Sequence, residues 1–363
     1  MGNFNLTNLA VNMYCPGNAA QLDDAGLPSI MVWIPAFRLC DVLNTTDESM
    51  HPAFIVNGVQ IPGFWYSKYE NVVHNGKAYS LPGEDPVAKI NYDTSKELSE
   101  AKGYGWHLST ATEWAAIALW CMKNGSLPYG NARFGKDSRE SEYKAIPTSN
   151  VGDSIGRVAT GTGPLTWSHD GSMSGIWDLH GNVAEWQSGI RIVWGEVQIL
   201  ANNDAADADN PTNSTSVCWK AIKAADGSLV DPECVPSNTK VKASGSTVKI
   251  DLVDGAWVYS TNIKNPTAES TSCTFGSLTA DSNVGDAALL LLRSLALLPD
   301  DGTASSAYES DKVYLVNKAD ERLISRGGGY SGGTDSGLFG LYTSARHNST
   351  DALGFRAAYI PNI

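Results

Sequence analysis

The sequence predicts a mixed α+β domain, irregular and built from short strands, and three observations predict it. An apolar run at 30–37 and an aromatic run at 63–69 read as strands. Thr110, followed three residues later by Glu113, opens one firm helix. Aromatic, glycine-rich strand patterns then return from Val313 to the C-terminus, after a long polar stretch.

Taken in order, residues 1–29 are polar and weakly patterned and read as an N-terminal extension. Asp93 can cap a short helix running to about residue 102. In the helix at 110–123, the Thr110 hydroxyl can accept from the Glu113 amide while Glu113 reaches back, a capping box. Behind that cap Trp114, Ile117, Ala118 and Cys121 recur at helical spacing, so that face is core. Residues 198–320 read as a long insertion, rich in Asn, Asp, Ser, Thr and Ala, with short strand-like runs at 248–253 and 256–259. Residues 30–363 outside that insertion form one domain, so its two portions must meet in space. No internal repeat is present.

The chain has 363 residues, 42% of them hydrophobic, and eleven tryptophans, enough to bury a sizeable core without disulfides. Its net charge of -13 is repelled by polyanions, which argues against nucleic acid and against anionic membrane surfaces. The N-terminus lacks a basic, then apolar, leader pattern, so no secretory signal is expected. The most apolar run, 287–298, is too short to span a bilayer and carries Arg293, so a buried amphipathic helix and a soluble product without membrane insertion are expected. Cys15, Cys40, Cys121, Cys218, Cys234 and Cys273 form no C-x-x-C pair, which argues against a zinc knuckle or a thioredoxin-like site. Cys218 and Cys234 could bridge a loop, or all six could stay thiols.

Several enzyme-like strings fail on context. Gly329-Tyr-Ser331-Gly-Gly333 fits G-x-S-x-G, but polar and glycine residues follow where a nucleophile elbow needs a helix. Gly327-Gly-Gly329-Tyr-Ser-Gly332 fits G-x-G-x-x-G, again without the helix that would receive a pyrophosphate. His51, His74, His107, His169, His180 and His347 show no i, i+4 spacing for zinc. Asp204, Asp207 and Asp209 lack the glycine turn and closing glutamate of an EF-hand and read as a solvated loop. The string Gly175-Ile-Trp-Asp178-Leu-His-Gly181-Asn182-Val-Ala-Glu185-Trp186 is different, because carboxylates, an amide and turn glycines crowd between large aromatics. It could wrap a hard cation, or its polar groups could hydrogen-bond backbone in a tight turn.

That string resembles the G-L-Y-D-M-x-G-N-V-W-E-W signature of the formylglycine-generating (sulfatase-modifying) family, and further blocks agree in order. Gly63-Phe-Trp-Tyr-Ser-Lys-Tyr-Glu70 resembles F-x-I-x-x-Y-E-V, and Pro86-Val-Ala-Lys-Ile-Asn-Tyr-Asp93 resembles P-V-x-x-V-S-W-x-D-A. Trp106-His-Leu-Ser-Thr-Ala-Thr-Glu-Trp114 is similar to R-L-P-T-E-A-E-W, and Ser325-Arg326-Gly-Gly328, Ser344-Ala-Arg346 and Leu353-Gly-Phe-Arg356 are similar to the closing R-G-G-S and S-x-R…G-F-R blocks. The resemblance implies an irregular C-type-lectin-like fold with two helices and short antiparallel strands. It also implies a structural calcium held by the side chains of Asp178 and Glu185 and the carbonyls of Gly181 and Val183.

The departures from the family decide the expected function. Family enzymes oxidise a substrate cysteine with a copper-binding cysteine pair after R-G-G-S, and this chain has no cysteine after Cys273. Gly332 and Gly337 stand about where that pair would fall, and Ala357 stands where Cys often follows G-F-R. These residues supply no ligand or nucleophile, so copper chemistry is not expected, and iron is not expected because the histidine-ligated relatives need an N-terminal helical domain with its own histidines, which is not read here. The rival reading is a formylglycine-generating or sulfoxide-forming oxidase with a relocated site. A non-enzymatic branch of the family, the variable proteins of diversity-generating retroelements, rewrites its segment from R-G-G to G-F-R at adenine-rich codons, and residues 326–356 resemble that segment. Rewriting adenines in Asn codons never yields Lys, Glu, Gln, Met or Trp, and none occurs between Ser331 and Thr350.

On this resemblance the ligand-binding residues are Tyr330, Ser331, Gly332, Thr334, Asp335, Tyr342, Ser344, His347, Asn348, Thr350 and Asp351, expected on one solvent-exposed face. Such Tyr, Ser, Gly and Asn mixtures give adaptable contacts at low entropy cost. Leu338, Leu341 and Ala345 are expected as framework, and Arg326, Phe339, Arg346, Phe355 and Arg356 as buried or paired. The expected partner is a protein or cell-surface ligand of a host or neighbouring cell, met from a phage tail or bacterial surface.

Overall fold

The computed structural model describes residues 6–238 and 241–361. The fold is mixed α and β, mostly sheet. The N-terminal stretch is more ordered than its composition predicts. A helix, α1 (Leu6–Tyr14), precedes strand β1 (Asn18–Leu22), which pairs antiparallel with β2 (Pro28–Pro35). Expected order from residue 30 is therefore corrected to include this hairpin, although residues 1–5 lie outside the described part.

β2 pairs with β3 (Gly63–Ser67), placing Trp33 opposite Trp65 and Ile34 opposite Phe64. A hairpin of β4 (Asn71–His74) and β5 (Lys77–Ser80) follows, closed at Asn75 and Gly76, which both have positive φ. Helix α2 (Tyr92–Glu100) is capped by Asn91, whose side chain accepts from Thr94 N. Asp93, the expected cap, lies inside the helix: Asn91 reaches the amide three residues on, the standard N-cap geometry.

After β6 (Trp106–Leu108), helix α3 (Ala111–Asn124) begins at the Thr110–Glu113 capping box and ends at Gly125 in the left-handed conformation. Its stripe of Trp114, Ile117, Ala118 and Cys121 is buried in the main core. The first sheet runs β1-β2-β3, then the C-terminal strand Ala357–Tyr359, then β6.

The larger sheet centres on β9 (Ala184–Val193), numbered after the small hairpin of β7 (Asn150–Val151) and β8 (Ser154–Ile155). β10 (Glu196–Ile199), β11 (Ser244–Val253) and β12 (Ala256–Asn262) extend it on one side. On the other side lie, in spatial order, β15 (Arg322–Gly327), β16 (Gly337–Ser344), β14 (Lys312–Leu315) and β13 (Thr271–Thr274). β17 (Leu353–Phe355) runs parallel to β9, and β18 is the C-terminal Ala357–Tyr359. The stretch 198–320 is thus no appendage, because its strands form both flanks of the sheet and its side chains join the main core. Its polar residues are in part buried in that sheet, among them Thr247, Lys249 and Asp251.

The apolar run at 287–298 is helical only as α4 (Asp286–Ser294), and Leu295 to Leu298 continue into the core without helix. No helix among the described residues is long and apolar enough to cross a membrane. All six cysteines are free thiols.

Candidate functional site

The C-terminal segment rests on a register slip between β15 and β16. Arg326 pairs with Leu341, whereas Gly327 pairs with Gly337, so the intervening residues of β16 bulge from the ladder. The bulge carries Leu338 and Phe339 into the core. Trp114 Nε1 donates to the Leu338 carbonyl at 2.8 Å. The Phe339 ring lies 5.0 Å from Phe275 and 4.9 Å from Tyr308, so the stretch 198–320 forms the bed beneath the segment. Asp311, also from that stretch, accepts from Phe339 N at 2.8 Å. Burial pushes the Asp311 carboxyl well above the usual range.

Residues 330–352 are tied to the rest of the molecule chiefly through main-chain atoms. Tyr330 N donates to Asn182 O (3.0 Å), Phe134 N to Tyr330 O (2.7 Å) and Gly333 N to Ala132 O (2.7 Å). At the far end Tyr92 N donates to Arg346 O (3.2 Å), Lys89 N to Thr350 O (2.9 Å) and Ala184 N to Ala352 O (2.7 Å). Arg157 Nη1 donates to Asp351 O at 3.1 Å. Every partner in this set lies upstream of the segment.

The side chains behave differently. Ser331, Gly332, Thr334, His347, Thr350 and Asp351 are exposed. Asp335, Tyr342, Ser344 and Asn348 are half-buried and interlocked. Tyr342 stacks on Tyr314 with ring centroids 5.5 Å apart and donates to Asp335 O, while Tyr314 donates to the Asp335 carboxylate. Asn348 Nδ2 donates to Ser344 Oγ at 3.2 Å, and Ser344 lies on the same face of β16 as Tyr342, two residues away.

Tyr330 corrects the expectation of exposure, being 7% exposed. Main-chain bonds on both its N–H and C=O turn it inward beside Phe134, 6.1 Å away. Tyr330 and Asp351, from opposite ends of the segment, line one cavity of about 550 Å³ with Lys89, Arg157 and Asp85. Arg326, Phe339, Phe355 and Arg356 are buried, and half-buried Arg346 pairs with Glu321 and Asp93. Arg326 gives Nη2 to the carbonyls of Leu295 and Ala296. Burial pulls its guanidinium down to about 10.

The turn at 175–186 is held by hydrogen bonds and one ion pair. Asn182 Nδ2 and Val183 N donate to the Glu70 carboxylate, at 2.5 and 3.1 Å. Arg356 Nε lies 2.8 and 2.9 Å from the two Glu185 oxygens, both groups buried. Asp178 accepts from Gly161 N at 2.7 Å, and its other oxygen has no hydrogen-bond partner among the described residues. Burial raises all three carboxyls: Asp178 to about 6, Glu185 to about 7 and Glu70 well above its usual value, the last also through repulsion from Asp178.

The expected calcium set does not fit this arrangement. Both Glu185 oxygens face a guanidinium, so neither is turned to a cation in this arrangement. Arg356 supplies the positive charge that Asp178 and Glu185 were expected to take from a cation.

Sequence reasoning missed Glu70, Asp85, Lys89, Arg157, Tyr314 and Asp311 as parts of this region. They reach it through loops and sheet order, so no spacing marks them.

No protein-family model matches the chain, and no curated protein matches it. Among solved structures the chain is similar to PvdO from Pseudomonas aeruginosa, at 13% identity over 92% of this chain and 94% of that one, with a TM-score of 0.34. It is similar to Treponema denticola variable protein 1, at 12% identity over 95% and 100%, with a TM-score of 0.32. It is also similar to the P3c variant of Major Tropism Determinant, at 10% identity over 94% and 71%, with a TM-score of 0.28.

Proposed function

We propose that the chain is a non-catalytic, hypervariable ligand-binding protein on a C-type-lectin-like scaffold. Residues 330–351 present the variable side chains to a protein or cell-surface ligand of a host or neighbouring cell, from a phage tail or a bacterial surface.

One observation carries this reading: the ends of the segment are anchored by main-chain bonds and four of its polar side chains are left unused, while those of Asp335, Tyr342, Ser344, Asn348 and Asp351 are engaged. Ser331, Thr334, His347 and Thr350 make no side-chain hydrogen bond or ion pair with the described residues. Main-chain anchors are indifferent to side-chain identity, so replacement there leaves the fold intact. A side chain at Gly337 would collide with the Asp311 carboxylate and one at Gly332 with the Ser336 hydroxyl, so the family's cysteine pair does not fit at those positions, and an oxidase with a relocated site is separated by the assay below.

Sequencing the gene across a bacterial or phage population tests the reading. Substitutions should fall at adenines of the codons for residues 326–356, with a reverse-transcriptase gene and a near-copy of that segment nearby. A segment no more variable than the rest, together with peroxide release from a thiol peptide by the purified protein, would reverse the conclusion in favour of an oxidase.

A further inference from the structure

The cavity between Tyr330 and Asp351 contains features that the display reading does not use. Its fixed wall is the outer edge of β4. In the β4–β5 hairpin the two-residue loop Asn75–Gly76 makes His74 and Lys77 a hydrogen-bonded pair, so the next pair, Val73 with Ala78, is not hydrogen-bonded. The N–H and C=O of Val73 therefore point away from β5. Asn71, two residues earlier, confirms this alternation: its carbonyl also points outward and accepts from Val87 N at 2.9 Å. One rung of an added strand is thus already made by the chain itself. The next rung, at Val73, is open: no main-chain group of the described residues outside the hairpin bonds its N–H or C=O.

The second feature is the Tyr330 phenol. The residue is more than nine-tenths buried and lines the cavity, and its hydroxyl, which is not itself among the buried unpartnered atoms, bonds none of the described residues and is left to the open space of the cavity. The third is charge. Arg157 is paired with Asp85 and Lys89 with Asp351, which leaves Glu84, an exposed carboxylate on the cavity lining, without an ion-pair partner among the described residues.

We infer that this cavity takes a short extended peptide segment of the partner protein, carrying a Lys or Arg. The segment adds as a strand to the open edge at Val73, sets its cation against Glu84 and meets the Tyr330 hydroxyl with a main-chain group. The surrounding variable residues then read its flanks. This inference rests on the display reading and names the partner class of the same site.

The probes are capped pentapeptide pools offered to the full chain: one with a fixed central Lys, one with a central Glu, and a Lys pool with an N-methylated backbone. Affinity by fluorescence polarisation and amide exchange at Val73 are the readouts. The Lys pool should bind about tenfold tighter than the Glu pool and slow exchange at Val73, and Glu84→Lys should lose about that factor. The N-methylated pool should bind weakly. Tyr330→Phe should weaken binding several-fold at an unchanged melting temperature, because the hydroxyl has no partner in the fold. Equal binding of the Lys and Glu pools, unchanged Val73 exchange, full binding of the N-methylated pool, or capture of oligosaccharides in place of peptides would overturn the proposal. A separate arm replaces Thr334 and His347. Altered cell binding there with silent Glu84→Lys and Tyr330→Phe would remove the peptide proposal and keep the display reading, whereas loss of folding there would remove the display reading itself.

Discussion

Phe339→Ala would remove the ring that joins the C-terminal segment to the stretch 198–320. Truncating a fully buried Phe costs about 3–5 kcal/mol, the larger values arising where the site cannot collapse. Collapse is hindered here, because Phe339 N is bonded to Asp311 and the neighbouring Leu338 carbonyl to Trp114. The two ring contacts, at 5.0 and 4.9 Å, each contribute about 0.5–1.5 kcal/mol beyond area burial. A loss of about 4–5 kcal/mol is therefore expected. Urea unfolding followed by tryptophan fluorescence and far-ultraviolet circular dichroism should show a lower midpoint at unchanged slope, with the two probes coincident. A cycle with Tyr308→Ala should give a coupling of about 1 kcal/mol or more. A loss below about 1.5 kcal/mol, additive with Tyr308→Ala, would refute the claim that 198–320 carries the segment.

Three further outcomes follow from the same geometry. Glu70, Asp178 and Glu185 surround Arg356, with the Tyr66 phenol close by, and their folded pKa values lie above the unfolded ones, at about 6 for Asp178 and about 7 for Glu185. The folded state then holds more protons, so this cluster's stabilisation is complete below about pH 4 and is lost as pH rises through 6 and 7. Glu70→Gln should flatten the fall in melting temperature over that window, and an unchanged profile would count against the shared-charge account. Glu321 acts with the opposite sign: against burial, which raises its pKa, Arg346 and Arg191 hold it low, so it contributes only to acid unfolding. Glu185→Ala should cost about 3–5 kcal/mol by removing the bidentate partner of buried Arg356, while EDTA leaves the wild-type melting curve in place; a clear drop in EDTA would restore the calcium expectation. Ser331→Ala, Thr334→Ala, His347→Ala and Thr350→Ala should each change stability by less than about 0.5 kcal/mol in denaturant titrations.

The parts of the fold legible in the sequence are those set by local chemistry. Thr110 and Glu113 cap the helix they were expected to cap, and the stripe behind them is core. The buried roles of Arg326, Phe339, Phe355 and Arg356 were expected from the resemblance, as the framework beneath a surface open to rewriting. What was not legible is non-local. Nothing in the polar composition of 198–320 shows that its strands flank β15 and β16, since sheet membership depends on pairing across long separations. The β1–β2 hairpin was hidden because β1 reads Asn-Ala-Ala-Gln-Leu, without strong strand formers. Tyr330 was expected outside because the resemblance assigns it to the variable segment, whereas main-chain bonds to Asn182 and Phe134 turn it inward. The ion pair of Glu185 with Arg356 depends on two residues far apart in sequence, so the turn could equally be read as a cation loop.

The central claim is that the backbone of 330–352 is fixed while its outward side chains are free. A library in which Ser331, Thr334, His347 and Thr350 are randomised together tests it, with melting temperatures and amide exchange at Tyr330 and Gly333 measured for its members. The account predicts that most members melt within about 4 °C of the parent and keep both amides protected, while the same randomisation at Leu338, Phe339 and Phe355 leaves few folded chains. A first library that unfolds as readily as the second would contradict it.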